Sequence, residues 1–309
     1  MTVRHRIAAA LERGIPVAAP LAMAWTPFAA RGLTRPLRRP IRNGVVIPIV
    51  CVGGATLGGS GKTRVALACA RALQGLGARV ALVGHAYRAT VGTARVVPRH
   101  GALATFGDEA LVCARGFDGD VIVGPSRQAA VDLAGERANV IVLDGPLRVP
   151  GPDVLSILAV DEDEPWGSGA VVPAGDLRAS RKALLRVADH VVRVSATPSL
   201  GERAVPASGP LGLFTAIARP ARLVAALARL GIHPSPIVSI DDHGPLDAAA
   251  SIRITPDRAW LATDKCALHL AGTHVRIVEL MSMIALPSNV LVDLADLSRV
   301  GLSPTVGTP

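Results

Sequence analysis

The chain has few aromatic residues, few cysteines and no long unbroken apolar run. Tyrosine, phenylalanine and tryptophan make up 3% of its 309 residues, although 50% of the residues are hydrophobic. Proteins that bind single-stranded nucleic acid usually stack the bases on aromatic side chains placed among basic ones. With so few aromatic residues, the chain is not expected to bind nucleic acid. It is long and apolar enough to fold around one large core or two moderate ones.

The cysteines are few and scattered. Cys51, Cys69, Cys113 and Cys266 form no CxxC pair and have no histidine at metal-ligand spacing. This pattern predicts small buried side chains in a reducing compartment, with neither a structural disulfide nor a metal site.

Acidic residues are also in the minority. There are 24 acidic and 33 basic residues, which give a net charge of +9. A basic chain favours polyanionic partners. Because nucleic acid is disfavoured, we expect an anionic membrane surface and a phosphorylated lipid.

The first 43 residues form a basic, apolar segment. Its apolar run, residues 15–30, has arginines on both sides, contains Trp25 and Phe28, and is interrupted by three prolines. The run is shorter than the roughly twenty residues that span a bilayer. Its composition is typical of a segment lying in the interface of an anionic membrane. Two alternatives stay open: a signal peptide, which the charge pattern permits, and a helical hairpin packed on the core with solvated arginines.

A phosphate-binding loop is present in its usual context. An apolar stretch typical of a strand, residues 45–52, precedes the loop, and an apolar helical run, residues 64–76, follows it. Backbone N–H groups of such a loop point at phosphate oxygens, and the helix adds its positive end. The lysine reaches the β- and γ-phosphates, and the threonine hydroxyl helps to hold Mg²⁺. The residues predicted to bind nucleotide are Thr56, Gly58, Gly59, Ser60, Gly61, Lys62 and Thr63. The alternative is a glycine-rich turn between two core elements.

Apolar strands alternate with helices after the loop. This order predicts an α/β fold of the P-loop NTPase kind, with a mostly parallel sheet and helices on both faces. A smaller C-terminal α/β lobe and an N-terminal membrane-associated helical segment complete the expected architecture. The expected parts are the membrane-interface segment 1–43, the nucleotide-binding core 44–184, the second lobe 185–298 and a flexible tail 299–309. Ligands of such sheets bind at the carboxyl ends of the strands, where the loop and Asp144 both lie.

The loop and several later motifs resemble those of the tetraacyldisaccharide 4′-kinases, which phosphorylate a lipid A precursor. Residues 52–63, VGGATLGGSGKT, are similar to the family's VGN-[IL]-[TS]-VGGTGKTP, including the non-glycine at Thr56. Further similarities follow in the family's order. They are 107–109 (GDE) to GDEP, 123–127 (VGPSR) to V-x-x-x-R, 140–144 (VIVLD) to a strand ending in DDGLQH, 173–178 (PAGDLR) to PAGPLR, 242–243 (DH) to DH(H), and 263–265 (TDK) to TEKD.

The resemblance implies a reaction and a set of roles. The implied reaction is transfer of the γ-phosphate of ATP, with Mg²⁺, to the 4′-hydroxyl of a tetraacyldisaccharide 1-phosphate. The implied location is the cytoplasmic face of the bacterial inner membrane, with peripheral or monotopic attachment. Lys62 and Asp108 match catalytic residues, His243 matches a histidine that supports the base, and Thr63 and Asp144 match metal-site residues. As alternatives, Asp108 is an acid favourable to a helix N-terminus, and His243 is a turn residue.

The sequence departs from the family pattern around the loop. Gly145 stands in place of the second aspartate of the strand-end motif, the SRGYGG motif corresponds to GHAYRA at 84–89, and Cys266 replaces the last acid of TEKD. These departures leave a second function open, a nucleotide-binding paralogue with weak or no transfer and a regulatory role. A third possibility is a soluble P-loop enzyme of the kind that includes dethiobiotin synthetase and metal-chaperone GTPases.

Overall fold

A computed structural model describes residues 3–42, 44–84, 91–198, 209–241, 246, 248–280 and 284–302. The helices are α1 (Val3–Arg13), α2 (Ala19–Arg31), α3 (Lys62–Gly75), α4 (Leu103–Phe106), α5 (Asp108–Gly116), α6 (Arg127–Arg137), α7 (Arg181–Val187), α8 (Pro220–Arg229), α9 (Ala248–Arg253), α10 (Asp264–Ala267) and α11 (Ser288–Leu302). The strands are β1 (Ile41–Arg42), β2 (Val45–Val46), β3 (Ile49–Gly54), β4 (Val80–Val83), β5 (Arg95–Val96), β6 (Asp120–Val123), β7 (Val140–Asp144), β8 (Val154–Asp161), β9 (His190–Val194), β10 (Leu211–Thr215), β11 (Ile237–Ser239), β12 (Ala259–Thr263) and β13 (Arg276–Leu280).

The larger of two compact units contains Leu11–Val194 together with α11. Its seven-stranded sheet has the order β5-β6-β4-β7-β3-β8-β9. All neighbouring strands pair in parallel except β5, which is antiparallel to β6. The central strands β3 and β7 are buried along their whole length, which agrees with their continuous apolar sequences.

Two clusters of buried side chains make up much of this unit's core. One joins β3 and β7 to α6 through residues such as Ile49, Ile141 and Val131. The other joins β8 to α7 and to the loop after α2 through residues such as Leu158 and Leu184. The packed sheet fixes the carboxyl ends of β3 and β7 side by side, since Val52 pairs with Asp144.

The smaller unit contains a second sheet, with the order β11-β10-β12-β13. All its strands are parallel. Trp260 and Phe214 are among its fully buried side chains, and Gly212 lets the indole ring of Trp260 lie against the backbone of β10. The predicted α/β fold, with a mainly parallel sheet and a smaller C-terminal sheet, is confirmed.

The boundary region differs from the sequence expectation in detail. From the sequence, the strand near residues 189–194 belongs to the second lobe. In the structure β9 pairs with β8 at the edge of the seven-stranded sheet. At its start, the His190 ring contacts Asp293 (2.6 Å) and Asn289 (3.1 Å) of α11. Helix α11 therefore closes the larger unit, although it follows the smaller one in sequence.

Candidate functional site

The phosphate loop follows β3 directly and ends where α3 begins. Gly58, Gly59 and Gly61 have φ values of 91°, 69° and 73°, a backbone region that glycine adopts at little cost. A side chain at Gly61 would also meet the Val194 side chain, with the nearest atom at 2.5 Å. The turn therefore favours glycine at these three positions, and at Gly61 the packing against Val194 requires it as well.

The amide groups of the loop point to an anionic ligand. The N–H groups of residues 59–63 donate no hydrogen bond to any part of the chain that the structure describes. Ser60, the second residue of this row, is only 3% exposed, residues 61–63 are partly buried, and Gly59 is exposed. Buried N–H groups are nearly always paired. A row of donors beside the start of a 14-residue helix is suited to phosphate oxygens.

Lys62, Thr63 and Asp144 converge at the end of the loop. The Thr63 hydroxyl donates to Oδ2 of Asp144 at 2.6 Å, and Nζ of Lys62 lies 3.5 Å from Oδ1 of the same carboxylate. Burial lowers the pKa of Lys62, but attraction to Asp144 and Glu109 outweighs this effect, so the pKa lies above its usual value. The ammonium group is therefore charged at neutral pH.

Helix α5 brings two acids to this place. Asp108 is its first residue and is only 3% exposed, and its Oδ1 accepts a hydrogen bond from the N–H of Glu109 at 2.8 Å. Oε2 of Glu109 lies 3.8 Å from Nζ of Lys62. The structure thus places the start of α5 beside the phosphate loop. The contact of Glu109 with Lys62 was not expected from the sequence, although the GDE motif contained the residue.

Arg178 adds a second cation at the entrance of the loop. Its Nε donates to the carbonyl oxygen of Thr56 at 3.0 Å. Burial lowers the pKa of Arg178, and Asp144 and Glu109 partly offset this shift. An arginine keeps its charge at neutral pH even so. Lys62 and Arg178 together with the amide row make the site suited to a polyphosphate.

Comparison with known proteins agrees with this geometry. The sequence profile of the LpxK family, described as tetraacyldisaccharide-1-P 4′-kinase, matches residues 18–209. The tetraacyldisaccharide 4′-kinase of Rhodospirillum centenum is 34% identical over 78% of the chain and 76% of its own length. That of Methylobacterium radiotolerans is 33% identical over 84% of the chain and 88% of its own length. The chain belongs to the tetraacyldisaccharide 4′-kinase family.

The fold comparison is consistent with the family assignment. A crystal structure of the "apo" form of LpxK from Aquifex aeolicus in complex with ATP superposes with a TM-score of 0.66 and 18% identity, covering 96% of this chain and 99% of that one. The family and the kinase class expected from the motifs are confirmed. The activity of this kinase family is phosphorylation of tetraacyldisaccharide 1-phosphate at the 4′ position in lipid A synthesis.

The departure from the family pattern at Gly145 has a structural context. Gly145 has a φ of 125°, and a Cβ atom there would lie 3.0 Å from Nη2 of Arg127. Arg127 begins α6, and its guanidinium is close enough to Asp144 for attraction, which partly offsets the lowering of its pKa by burial. The arginine of the V-x-x-x-R motif therefore lies against the position of the missing aspartate.

Of two other expectations from the sequence, the structure describes the residues of one, the cysteines, but not those of the other, His243 and most of the GHAYRA stretch. His243 and residues 85–89 of the GHAYRA stretch lie outside the described residues. All four cysteines are buried, and none of them forms a disulfide bond. Burial raises the pKa of both Cys51 and Cys69 to about 12, which makes these thiols unreactive.

The N-terminal segment forms two helices joined by a bend. No single described helix is long and apolar enough to cross a membrane, but Arg6–Arg13 and Pro16–Arg31, bent by 81°, pass that test as a pair. On α2 and just before it, large apolar side chains are exposed: Val17, Leu21, Met23, Trp25 and Phe28. The rings of Trp25 and Phe28 stack with centroids 5.9 Å apart.

Proposed function

We propose that the phosphate loop binds ATP and that the described residues around it transfer the γ-phosphoryl group to the 4′-hydroxyl of the acylated disaccharide. The observation that carries the proposal is the row of loop N–H groups, ending at Lys62 and Thr63, that donate to none of the described residues. In the reaction the hydroxyl oxygen bonds to the γ-phosphorus. The bond to the β–γ bridging oxygen breaks, and ADP leaves with that oxygen. Charge spreads over the transferred group, and Lys62, Arg178 and the amides offset it.

Asp108 is the proposed acceptor of the hydroxyl proton. It stands at the start of α5, whose next residue contacts Lys62, so its carboxylate belongs to the same end of the loop. A carboxylate within reach of the acceptor hydroxyl can take its proton as the new bond forms. His243 is proposed to orient this acid, as the family motif implies.

Mg²⁺ fits the residues at the loop. Oδ2 of Asp144 accepts the Thr63 hydroxyl, while the buried Oδ1 has no hydrogen-bond partner among the described residues. Magnesium prefers oxygen ligands and often takes only one or two protein carboxylates together with phosphates and water. Thr63 and Asp144 would hold the ion, which when bound neutralises charge on the phosphates. Gly145 supplies no second carboxylate.

The exposed apolar surface of α2 is proposed to lie in the cytoplasmic leaflet of the inner membrane, where the amphiphilic acceptor is found. Trp25 and Phe28 would enter the interface, and exposed arginines such as Arg13 and Arg31 would face anionic head groups. This arrangement would bring the site to its substrate without a membrane-spanning helix.

The direct test is transfer of labelled γ-phosphate from ATP to purified tetraacyldisaccharide 1-phosphate in detergent. Asp108→Asn should lower kcat by about 100-fold or more, because the amide cannot accept the proton. Asp118→Asn is the matched control, since Asp118 is 80% exposed and lies just after the same helix. ATP binding without transfer by the wild-type chain would instead support the regulatory paralogue. Equal kcat values for Asp108→Asn and wild type would contradict the role of Asp108.

A further inference from the structure

The entrance of the phosphate loop is held by a segment far away in sequence. Residues 176–178 run beside residues 55–57, with an antiparallel bridge between Thr56 and Leu177. The N–H of Leu57 donates to the carbonyl oxygen of Asp176, and the N–H of Arg178 donates to that of Ala55, both at 2.9 Å. With the bond from Arg178 Nε to Thr56, each of the three entrance residues is fixed by this segment.

A buried carboxylate fixes the segment in turn. Asp176 is 2% exposed, and its Oδ1 accepts hydrogen bonds from the N–H (2.9 Å) and the hydroxyl (3.0 Å) of Ser168. The N–H of Asp176 donates back to the Ser168 hydroxyl oxygen at 3.2 Å. Gly167 permits this arrangement, since a Cβ atom there would overlap the carboxylate. Burying a charged group is costly unless hydrogen bonds compensate, so the reciprocal bonds fix both residues.

The reciprocal hydrogen bonds between Ser168 and Asp176 depend on a residue at which this chain departs from the family motif. Asp176 stands where the family motif PAGPLR has its proline. A proline has no N–H to donate to Ser168 and no carboxylate to accept from it. The aspartate therefore adds interactions that the family motif lacks, at a position whose carbonyl oxygen bonds the phosphate loop.

Residues just before this segment, Ser168 and Ala174, lie against the bend between the N-terminal helices. The N–H of Ile15 donates to the carbonyl oxygen of Ala174 at 2.6 Å. A Cβ atom at Gly14, which has a φ of 81°, would lie 4.0 Å from Cβ of Ser168, so this glycine lies beside Ser168. The residues between Ser168 and Arg178 therefore contact the phosphate loop on one side and the bend of the helical pair on the other.

We propose that Asp176 and Ser168 are positioning residues for the ATP site, which hold the phosphate loop in the shape that binds the nucleotide. They touch neither the nucleotide nor the acceptor, and act through the three hydrogen bonds of the 176–178 segment. The proposal rests on the proposed binding of ATP at the loop. Loss of the Asp176 carboxylate frees Ser168 and lets the segment move, so the loop loses part of its preorganisation for phosphate.

The test measures the Kd of ATP by calorimetry on the full-length chain, without acceptor or lipid, beside a thermal unfolding curve of each variant. Asp176→Ala should raise the Kd about tenfold and Ser168→Ala about threefold, the usual range for losing buried hydrogen bonds. Asp176→Asn should stay within about threefold of wild type, because its carbonyl oxygen still accepts from the Ser168 N–H. In the transfer assay the KM for ATP should rise while kcat stays within about twofold.

Asp161→Ala is the matched control. Asp161 is 6% exposed, is the last residue of β8, and accepts hydrogen bonds from the N–H groups of Asp163 and Glu164. Its loss should lower the unfolding temperature but leave the Kd of ATP near the wild-type value. A wild-type Kd in Asp176→Ala, with destabilisation equal to that of Asp161→Ala, would overturn the proposal.

Two further results keep the outcomes separate. If Asp176→Ala does not fold, Ser168→Ala decides, and a wild-type Kd in that variant overturns the proposal. Absence of ATP binding by the wild-type chain would contradict the proposed function itself. An equal Kd in wild type and variants would contradict only the positioning role.

Discussion

The phosphate loop and helix α2 differ in the kind of group that each buries or exposes. At the loop, polar groups are buried: Asp144 is 1% exposed, Ser60 is 3% exposed, and the amides of residues 59–63 lack partners in the described chain. On α2, apolar groups are exposed: Met23 is 77% exposed and Phe28 57%. Each arrangement is costly in water alone, since the first removes polar groups from solvent and the second leaves apolar groups in it.

The difference indicates two kinds of partner. Unpaired donors and partly buried cations are stabilised by a polyanion such as a nucleoside triphosphate. Exposed apolar side chains are stabilised by an apolar phase, which we propose is the membrane that holds the lipid acceptor. A kinase for an amphiphilic substrate needs both a polyanion site and an apolar surface. A substitution that removes one of these features should leave the other intact.

The largest expected effect comes from Lys62→Ala. The variant removes the cation that faces the β- and γ-phosphates, so kcat/KM should fall by at least about 100-fold. The measurement is transfer of labelled phosphate to the disaccharide. Lys182→Ala is the control, because Lys182 is exposed on α7. Near-normal transfer by Lys62→Ala would contradict a role of the loop lysine in the reaction. Binding to vesicles should be unchanged in both variants.

Asp144→Asn should act through the metal. Replacing the carboxylate removes the charged oxygen proposed to hold Mg²⁺, so the Mg²⁺ concentration for half-maximal activity should rise about 10-fold or more. Asp132→Asn is the control, because Asp132 is a half-exposed acid of α6 paired with Arg38. If the dependence on Mg²⁺ is the same in wild type and Asp144→Asn, another group holds the ion.

Removing the aromatic pair of α2 should affect only the membrane side. Trp25→Ser combined with Phe28→Ser should lower binding to phosphatidylglycerol vesicles by about tenfold or more, because two apolar rings no longer enter the interface. The control combines Leu76→Ser with Leu302→Ser, which removes two residues of comparable exposure elsewhere on the unit, 45% each. The Kd of ATP should not change in either double variant. Equal vesicle binding by the aromatic variant and the control would contradict interfacial insertion.

The smallest expected effect is at Gly145. From the sequence alone, Gly145→Asp restores a family acid and lowers the Mg²⁺ requirement. The structure changes this expectation, because φ is 125° and Arg127 lies at the Cβ position. A new carboxylate should pair with Arg127, and backbone strain should cost about 1–3 kcal/mol of stability.

Thermal unfolding and the Mg²⁺ dependence measure these two effects of Gly145→Asp separately. Gly77→Ala isolates backbone strain, because Gly77 has a φ of 86° with no atom within 4 Å of its Cβ position. A lower Mg²⁺ requirement in Gly145→Asp would show that the sequence expectation was correct.

Much of the fold followed from local sequence patterns. The apolar runs around the glycine-rich loop indicated β3 and α3, and the run at 140–144 indicated β7, near their observed positions, because buried parallel strands are apolar along their whole length. Helix α11 and the pairing of β9 with β8 did not follow from those patterns. Their placement depends on contacts between residues distant in sequence, such as His190 with Asp293.

The candidate site divides in the same way. The loop motif indicated Lys62 for the phosphates and Thr63 for Mg²⁺, and the end of an apolar strand indicated Asp144 as a further metal-site residue. It did not show that Glu109 contacts Lys62 or that Arg127 lies on Gly145. Those contacts arise when α5 and α6 pack beside the sheet, and no local pattern encodes the distance between them.

The sequence by itself determined the family, the α/β class and the phosphate loop, since each rests on short local patterns and on their order along the chain. Only the tertiary structure decided what surrounds the loop. It placed Asp176 and Arg178, more than a hundred positions away, against residues 55–57, and the bend of the N-terminal pair against the same segment. These hydrogen bonds join residues that are distant in sequence, so they exist only in the folded chain. No local sequence pattern indicates them.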